Sequence, residues 1–329
     1  MIVRNLRRYL PIILIAAALW FFRDELDPAA ALEQLRNAAP GQLALGVVCS
    51  VLSLTAMAEV MRTLLGAGGT HPTLRDTTSL TFAANALSSS FPGGAAISTV
   101  MQFQVMRQWR ASPLLISWFI VFSGALSTVW LIALGVGAVA LQGADFRLSS
   151  MVLPLVGMLM LAGLMWWITN HPEPVARFAE RALPPLLRLA PRRAPALEDI
   201  TAHIYQLEAV RLTRFRFGWA ACCSLSNWLL DAATLSLALW AITDTPPAFG
   251  AVLLAFITSK IVGSTNLTPG GLGPVDGALV GTLIATGVAS PDALGAAILY
   301  RAISLGLITA CGWVIYLFSP WRSLNTAAR

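Results

Sequence analysis

Four ionisable side chains lie within strongly apolar stretches of this sequence: Asp231, Lys260, Asp276 and Arg301. A charge in such a stretch is costly, so each of these residues is a candidate for binding or for proton transfer. In one interpretation, Lys260 and Arg301 bind an anionic group while Asp276 takes up protons or orients Arg301. In the other interpretation, Asp231 forms a structural ion pair with Lys260. A second structural pair then joins Asp276 to Arg301.

Breaks rich in glycine and proline flank these charges and offer a second kind of chemistry. The apolar segment 75–110 is broken at Pro92-Gly93-Gly94, and the segment 246–289 is broken around Pro269-Gly270-Gly271 and Gly273-Pro274. Proline removes a backbone donor and glycine has low helix propensity, so each segment should form two helical arms around an irregular turn. Helix starts at these turns would direct N–H groups with partial positive charge at an anion such as phosphate.

The candidate substrate-binding residues are the four charges, the two breaks and an asparagine near each break. They are Asn85, Pro92, Gly93, Gly94, Asp231, Lys260, Asn266, Pro269, Gly270, Gly271, Gly273, Asp276 and Arg301. Near the end of another apolar stretch, we expect Glu59 and Arg62 to pair with each other at an interface. Asn227 is expected either to hydrogen-bond between helices or to belong to the site.

Neither catalysis nor a metal centre is indicated by any motif in the sequence. The four cysteines lie inside apolar runs, where we expect them to act as small packing residues, and the three histidines lie in separate polar loops. A Ser/His/Asp set, a metal-ligand spacing and a nucleotide-binding loop are all missing. We therefore expect no enzyme activity and no cofactor.

Composition places these groups in a membrane protein. Of the 329 residues 57% are hydrophobic and only 12% are charged, and the mean hydropathy is +0.70. A soluble domain carries about 25% charged residues, so an ordinary cytosolic enzyme, a disordered tail and a nucleic-acid-binding module are excluded. Long apolar runs favour helices over the alternating segments of a transmembrane barrel. The sequence therefore predicts one all-α, polytopic membrane domain over residues 1–329.

The apolar runs define the spans of this helical bundle. Six full spans are predicted, at 9–22, 43–65, 113–141, 151–168, 217–242 and 293–318. The two broken segments add two helix pairs, which are re-entrant if each pair returns to the side that it entered. If the arms cross the bilayer fully, eight hairpin-like helical units result.

The arginines set the predicted direction of the chain. With the amino terminus in the cytoplasm, Arg23, Arg36 and Arg147 lie outside, and almost all the other basic residues lie inside. We therefore expect both termini in the cytoplasm of a bacterial inner membrane. The polar loop 169–216 is then cytoplasmic, and its amphipathic stripes either lie on the inner leaflet or dock a partner protein. A homo-oligomer is one outcome that the sequence leaves open.

The chain contains an internal repeat. The two Pro-Gly-Gly motifs are 177 positions apart, and Ala111-Ser112-Pro113 is matched by Ala289-Ser290-Pro291 at a distance of 178. The first unit covers 43–141 and the second covers 217–318. In the predicted topology the two units run in opposite directions. Inverted units with discontinuous helices are the architecture of alternating-access transporters.

The residues around the second break resemble a known family. The stretch from Asn266 through Pro269-Gly270-Gly271 to Asp276, followed by Leu299-Tyr300-Arg301, is similar to the signature of the lysylphosphatidylglycerol synthase transmembrane (flippase-domain) family. The family pattern also has an asparagine and a Pro-Gly turn in its first half, as here. Members of the family often have an acidic residue just after that turn, whereas this sequence has Ala95-Ala96-Ile97-Ser98 there. We expect a stand-alone member without the aminoacyl-transferase domain.

The resemblance implies that the protein moves a lipid between leaflets. Across relatives the suggested substrates include aminoacylated phospholipids, hopanoids and polyprenyl-linked sugars. We expect a flippase for membrane lipids with an anionic headgroup and no nucleic-acid partner. Two alternatives are a membrane-embedded accessory or enzyme of lipid-linked sugar transfer, which would use Asp231 or Asp276, and a secondary transporter of a small organic anion.

Overall fold

The computed structural model describes residues 36–91, 93–141, 160, 163, 212–243, 245–265 and 268–319. Every regular element in these ranges is helical, which confirms the all-α class. The elements are α1 Pro40–Ala67, α2 Leu74–Ser90, α3 Gly94–Gln108, α4 Pro113–Leu141, α5 Arg214–Trp240, α6 Phe249–Gly263, a 3₁₀ turn Pro269–Gly271, α7 Pro274–Ala285, α8 Ser290–Arg301, a π-helical segment Ala302–Leu307 and α9 Ile308–Phe318.

Several predictions concern parts of the chain outside these ranges. The predicted span 9–22, both termini, Pro92, Asn266 and nearly all of the span 151–168 and the loop 169–216 lie outside the described residues. The docking of a partner on that loop and the location of the termini therefore stay predictions.

In the part of the chain that the structure describes, four helices are long and apolar enough to cross a membrane. They are α1, α4, α5 and the continuous last helix Ser290–Phe318, which have 28, 29, 27 and 29 residues. At 1.5 Å per residue each exceeds the roughly 30 Å hydrocarbon core. Four of the six predicted spans are thus present, and the chain is a multi-pass membrane protein.

The two broken segments each form a pair of shorter helices. In the first segment α2 has 17 residues and α3 has 15, and in the second α6 has 15 and α7 has 12. These lengths correspond to about 18–25 Å, less than the thickness of the hydrocarbon core. The arms of each segment pack against one another, so each segment is a helical hairpin, with Gly93 and Gly94 at the tip of the first and Pro269–Gly271 at the tip of the second.

Helices α1 and α5 form an antiparallel pair along most of their length. The Thr234 hydroxyl donates to the Gly46 carbonyl (3.3 Å), whereas further along α1 the Ser53 hydroxyl donates to the Asn227 carbonyl (2.9 Å). Residue numbers therefore rise along α1 while they fall along the facing stretch of α5, so the two helices run in opposite directions. Because α2 follows the end of α1 and α6 follows the end of α5, the two broken hairpins begin at opposite ends of this pair.

Each broken hairpin packs against the last helix of the other half of the chain. Helix α2 lies against α9, and α6 lies against α4. The first contact is close because Gly312 has no side chain: a Cβ there would lie 2.3 Å from the Phe82 carbonyl oxygen. In the second contact, a Cβ at Gly135 would lie 3.4 Å from Ile257. Gly135 and Gly312 are 177 positions apart, the spacing that also separates the two Pro-Gly-Gly motifs.

Buried apolar side chains form two clusters, one toward each end of the α1–α5 pair. One surrounds Leu64, Leu65 and Ala220 at the end of α1 and the start of α5. The other surrounds Leu235, Leu239 and the packed faces of α6, α7 and α8. The middle of the bundle, between the two clusters, contains the polar side chains described next.

Candidate functional site

A cavity of about 430 Å³ lies where the tips of the two broken hairpins meet. Gly93 and Gly94 line it from the first hairpin, and Gly270 and Gly271 line it from the second. The two tips are close to each other, since a Cβ at Gly270 would lie 3.2 Å from the Ser89 carbonyl oxygen. Gly270 and Gly271 have φ values of 59° and 70°, a conformation that glycine adopts without strain.

Most of the predicted site residues contribute to this cavity. Those that line it are Asn85, Gly93, Gly94, Asp231, Lys260, Gly270, Gly271 and Arg301. Asp276 and Gly273 lie behind Arg301 and do not line the cavity. Pro269 begins the 3₁₀ turn whose carboxyl end forms part of the wall.

Lys260 forms an ion pair with Asp231 on one wall of the cavity. The Lys260 Nζ lies 2.7 Å from Asp231 Oδ2, and the Tyr300 hydroxyl donates to the other carboxylate oxygen (3.0 Å). The ammonium also lies over the rings of Phe256 and Tyr300, 4.8 and 5.8 Å from their centroids. Such cation–π contacts stabilise a cation that is partly removed from water.

Arg301 braces the second hairpin tip. Its Nε lies 2.5 Å from Asp276 Oδ1, Nη1 donates to the Gly270 carbonyl (2.7 Å) and Nη2 donates to the Gly271 carbonyl (3.3 Å). These bonds satisfy backbone groups that an irregular turn leaves without helical partners. Both ion pairs of the second interpretation are therefore formed, and the two cations nevertheless face one cavity.

The two helix starts at the cavity differ, although the sequence led us to expect both to attract an anion. The Asp276 carboxylate accepts from the Gly273 N–H (2.9 Å) at the start of α7, so this start already has its own negative charge. Helix α3 begins after Gly93 (φ 69°) with no side-chain cap and no acid in its first turn. The positive end of α3 is consequently the better anion-binding element of the two.

Comparison with known proteins identifies the family. Residues 9–312 match the family described as "Lysylphosphatidylglycerol synthase TM region". The chain belongs to this family. The resemblance found in the sequence is thereby confirmed, and family membership indicates a membrane protein with a role related to lipids.

A curated relative is similar to part of this family member. It is a "UPF0104 membrane protein" of Methanothermobacter thermautotrophicus, 32% identical over 89 residues. The alignment covers 27% of this chain and 26% of the relative. The match therefore spans only about a quarter of the curated relative's length.

Two site features of this family member, Tyr300 and a set of serines, were not among the predicted residues, whereas Asn227 was considered for both of the roles that it has. Tyr300 completes the Asp231 pair, and its position next to Arg301 was the available signal. Serines from several helices also face the cavity, among them Ser50, Ser88, Ser259 and Ser304. Asn227 lines it as well and donates to the Ser53 carbonyl (3.0 Å), so it both joins two helices and contributes to the site.

The Glu59–Arg62 pair lies apart from this cavity. Arg62 Nε and Nη2 donate to the two carboxylate oxygens of Glu59 at 2.6 and 2.7 Å. Among the described residues, no group of three or more His, Cys, Asp or Glu side chains is placed to hold a metal ion.

Proposed function

We propose that this protein translocates a lipid with an anionic headgroup between the leaflets of the bacterial inner membrane. The observation that carries the proposal is the convergence of both hairpin tips, from opposite ends of the α1–α5 pair, on one polar cavity. Irregular backbone at membrane depth is tolerated where it lines a wet cavity, and transporters build their substrate sites from such breaks.

The headgroup would lie between the start of α3 and Lys260. Both line the cavity, and both offer positive charge: the first through the partial charge of a helix start that has no acid in its first turn, the second through an ammonium with three donors. Asp231 engages one of these donors, at 2.7 Å. A phosphate could accept the others without breaking the ion pair.

The cavity volume supports a headgroup as the bound portion. At 430 Å³ it falls toward the lower end of the roughly 300–1,000 Å³ that small-molecule sites occupy. In this proposal the headgroup passes the hairpin tips while the acyl chains remain in the bilayer.

Alternating access would depend on the contacts between the two halves of the chain. Each broken hairpin rests against the last helix of the other half, so a shift of one unit relative to the other moves a hairpin tip across the cavity. The π-helical segment Ala302–Leu307 directly follows Arg301, and π-helical turns interrupt the regular bonding of a helix and recur at functional sites. We infer that this segment lets the last helix bend as the cavity changes side.

The state of the carboxylates favours transport over catalysis. Asp231 has one oxygen bonded to Lys260 and the other to Tyr300. Asp276 is similarly engaged by Arg301 and by the Gly273 N–H. A carboxylate that acts as nucleophile or general base needs an oxygen directed at the substrate, and these four oxygens are already bonded within the protein.

Transport in reconstituted vesicles tests the proposal. Acyl-chain-labelled phosphatidylglycerol is placed in the outer leaflet, and an impermeant quencher reports the fraction that remains outside. We expect the protein to accelerate its inward movement relative to protein-free vesicles, and to act more weakly on labelled phosphatidylcholine. Equal rates with and without protein for the anionic lipids tested would reject a flippase. Uptake of labelled glycerol 3-phosphate without lipid movement would instead identify a transporter of small organic anions.

A further inference from the structure

A second cavity, of about 340 Å³, lies between the end of α1 and the start of α5. Its polar lining comes from Glu59, Arg62, Thr63, His71, Arg216 and Trp219, and we call it the α1–α5 pocket. Along α1, Arg62 is five residues beyond Met57 of the central cavity, about 8 Å along the helix. No described residue lines both cavities.

Glu59 organises the α1–α5 pocket rather than binding a ligand itself. Its side chain is nearly buried, with 9% of the residue exposed. Both carboxylate oxygens accept from the Arg62 guanidinium, and Oε1 also accepts from the Trp219 indole (3.0 Å). The carboxylate therefore fixes a cation and an aromatic ring in place. A two-pronged arginine–carboxylate pair also holds the guanidinium in a defined orientation.

The two arginines keep donors for an anion. Hydrogen bonds to the described residues engage two N–H groups of Arg62 and one of Arg216, whose Nη1 donates to the Gly66 carbonyl (3.1 Å). Each guanidinium has five N–H groups, so most of these donors have no hydrogen bond to the described residues. The described residues that line the pocket contribute two guanidinium groups against one carboxylate. The positive end of α5 adds to this excess.

Exposed aromatic residues indicate that the ligand has an apolar part. Phe215 is 81% exposed and Trp219 is 49% exposed, on the first turns of a helix that is long enough to span a membrane. Aromatic side chains at the end of a span lie at the level of the lipid headgroups. Arginine and tryptophan together at this level match a phosphate ester joined to an apolar chain.

We propose that the α1–α5 pocket is a phosphate-ester binding site at the membrane surface, with Arg62 and Arg216 as its ligand-binding residues and Glu59 as a positioning residue. The ligand is the headgroup of an anionic phospholipid or a soluble phosphate ester, which share the same recognised group. This site is separate from the central cavity and binds its ligand whether or not that cavity transports lipid.

Binding to the purified full-length protein in detergent tests the proposal, with short-chain phosphatidylglycerol as the probe. Arg216→Gln should weaken binding about tenfold, and the double variant E59Q/R62Q should do the same although it leaves the net charge unchanged. Arg75→Gln, which removes an exposed arginine at the start of α2, is the matched control and should change affinity less than twofold. The proposal is wrong if R216Q and R75Q weaken binding equally while E59Q/R62Q binds as tightly as the wild type.

A second measurement needs only the wild-type protein. A photoreactive phosphatidylglycerol should cross-link to residues 59–72 and 213–219, and cross-links confined to other segments would overturn the assignment. Glycerol 3-phosphate separates the two sources of the ligand. Competition at comparable concentration identifies a soluble phosphate ester, whereas no competition at a thousandfold excess identifies the lipid headgroup; either result supports the shared chemistry.

Discussion

The two broken hairpins share a Pro-Gly-Gly tip but are held in place by different forces. The first tip is held by neutral groups: the Trp313 indole donates to the Ser90 hydroxyl (2.9 Å), and Phe91 packs edge-on against the Trp313 ring. The second tip is held by charges, through Arg301, Asp276 and two turn carbonyls. The same sequence motif is thus stabilised by neutral side-chain contacts in one hairpin and by charged hydrogen bonds in the other.

In keeping with this difference, the charged side chains among the described residues that line the central cavity all come from one half of the chain. All four charges considered as site residues, the ion pairs Asp231–Lys260 and Asp276–Arg301, come from the second half of the chain, whereas the first hairpin contributes Gly93, Gly94, Asn85 and serines. An anion between the hairpins meets a helix start on one side and an ammonium on the other. In the proposed transport the two sides would therefore release the anion with unequal ease, which would favour one state of the protein over the other.

The stability of the protein should be most sensitive to substitutions at the second tip, which charged residues hold in place. Arg301→Leu leaves the Asp276 charge and two turn carbonyls without their partner, and we expect a loss of about 3 kcal/mol in the free energy of unfolding in detergent. Asp276→Asn combined with Arg301→Gln removes both charges, so the double variant should lose less than R301L. If R301L unfolds at the wild-type denaturant concentration, the arginine does not brace the second tip.

Helix packing behind the tips provides the next comparison. Gly312→Ala would place a Cβ 2.3 Å from the Phe82 carbonyl oxygen, so α2 and α9 must separate, at a cost of about 1–3 kcal/mol. Gly135→Ala is the matched control because its Cβ meets only the Ile257 side chain at 3.4 Å, and it should cost less than about 0.5 kcal/mol. Thermal unfolding of the two variants side by side compares these costs. Equal losses of stability would show that the first hairpin is not packed more closely than the second.

The stability of the protein should be least sensitive to substitutions in the neutral contacts that hold the first tip. Trp313→Phe removes the hydrogen bond to Ser90 and keeps an aromatic ring beside Phe91, so we expect a loss of about 1 kcal/mol. A double-mutant cycle with Ser90→Ala measures this pair directly. Strictly additive losses would mean that the Trp313–Ser90 bond contributes nothing to the seating of the tip.

Much of this architecture could be predicted from the sequence because it depends on local signals. Hydropathy gave α4 at 113–141 and placed the other three described spans to within about three residues at each end. Glycine and proline located both breaks. The charged residues suggested the two ion pairs that form, since a buried charge requires a partner.

The remaining features depend on contacts between distant parts of the chain. Tyr300 bonds a carboxylate 69 positions away, and the neighbouring Arg301 is the one local signal that it does more than pack. Asp276 was expected to act in the site, but at the third position of α7 its carboxylate reaches back to Gly273 and caps its own helix. The packing of each hairpin against the last helix of the other half is visible only in the structure, where Gly312 lies against α2.

Transport by variants of the Asp231–Lys260 pair shows whether the anionic headgroup passes the central cavity. Lys260→Met with Asp231→Asn removes both charges together, so the fold avoids an unpaired buried carboxylate, and thermal unfolding of this double variant provides the check on its structure. We expect a folded protein whose movement of phosphatidylglycerol in proteoliposomes is at least about tenfold slower, the scale of one lost charged hydrogen bond, whereas Arg75→Gln should transport at the wild-type rate. A folded double variant that moves this lipid as fast as the wild type would contradict the claim that the anionic headgroup passes the cavity between the two hairpin tips.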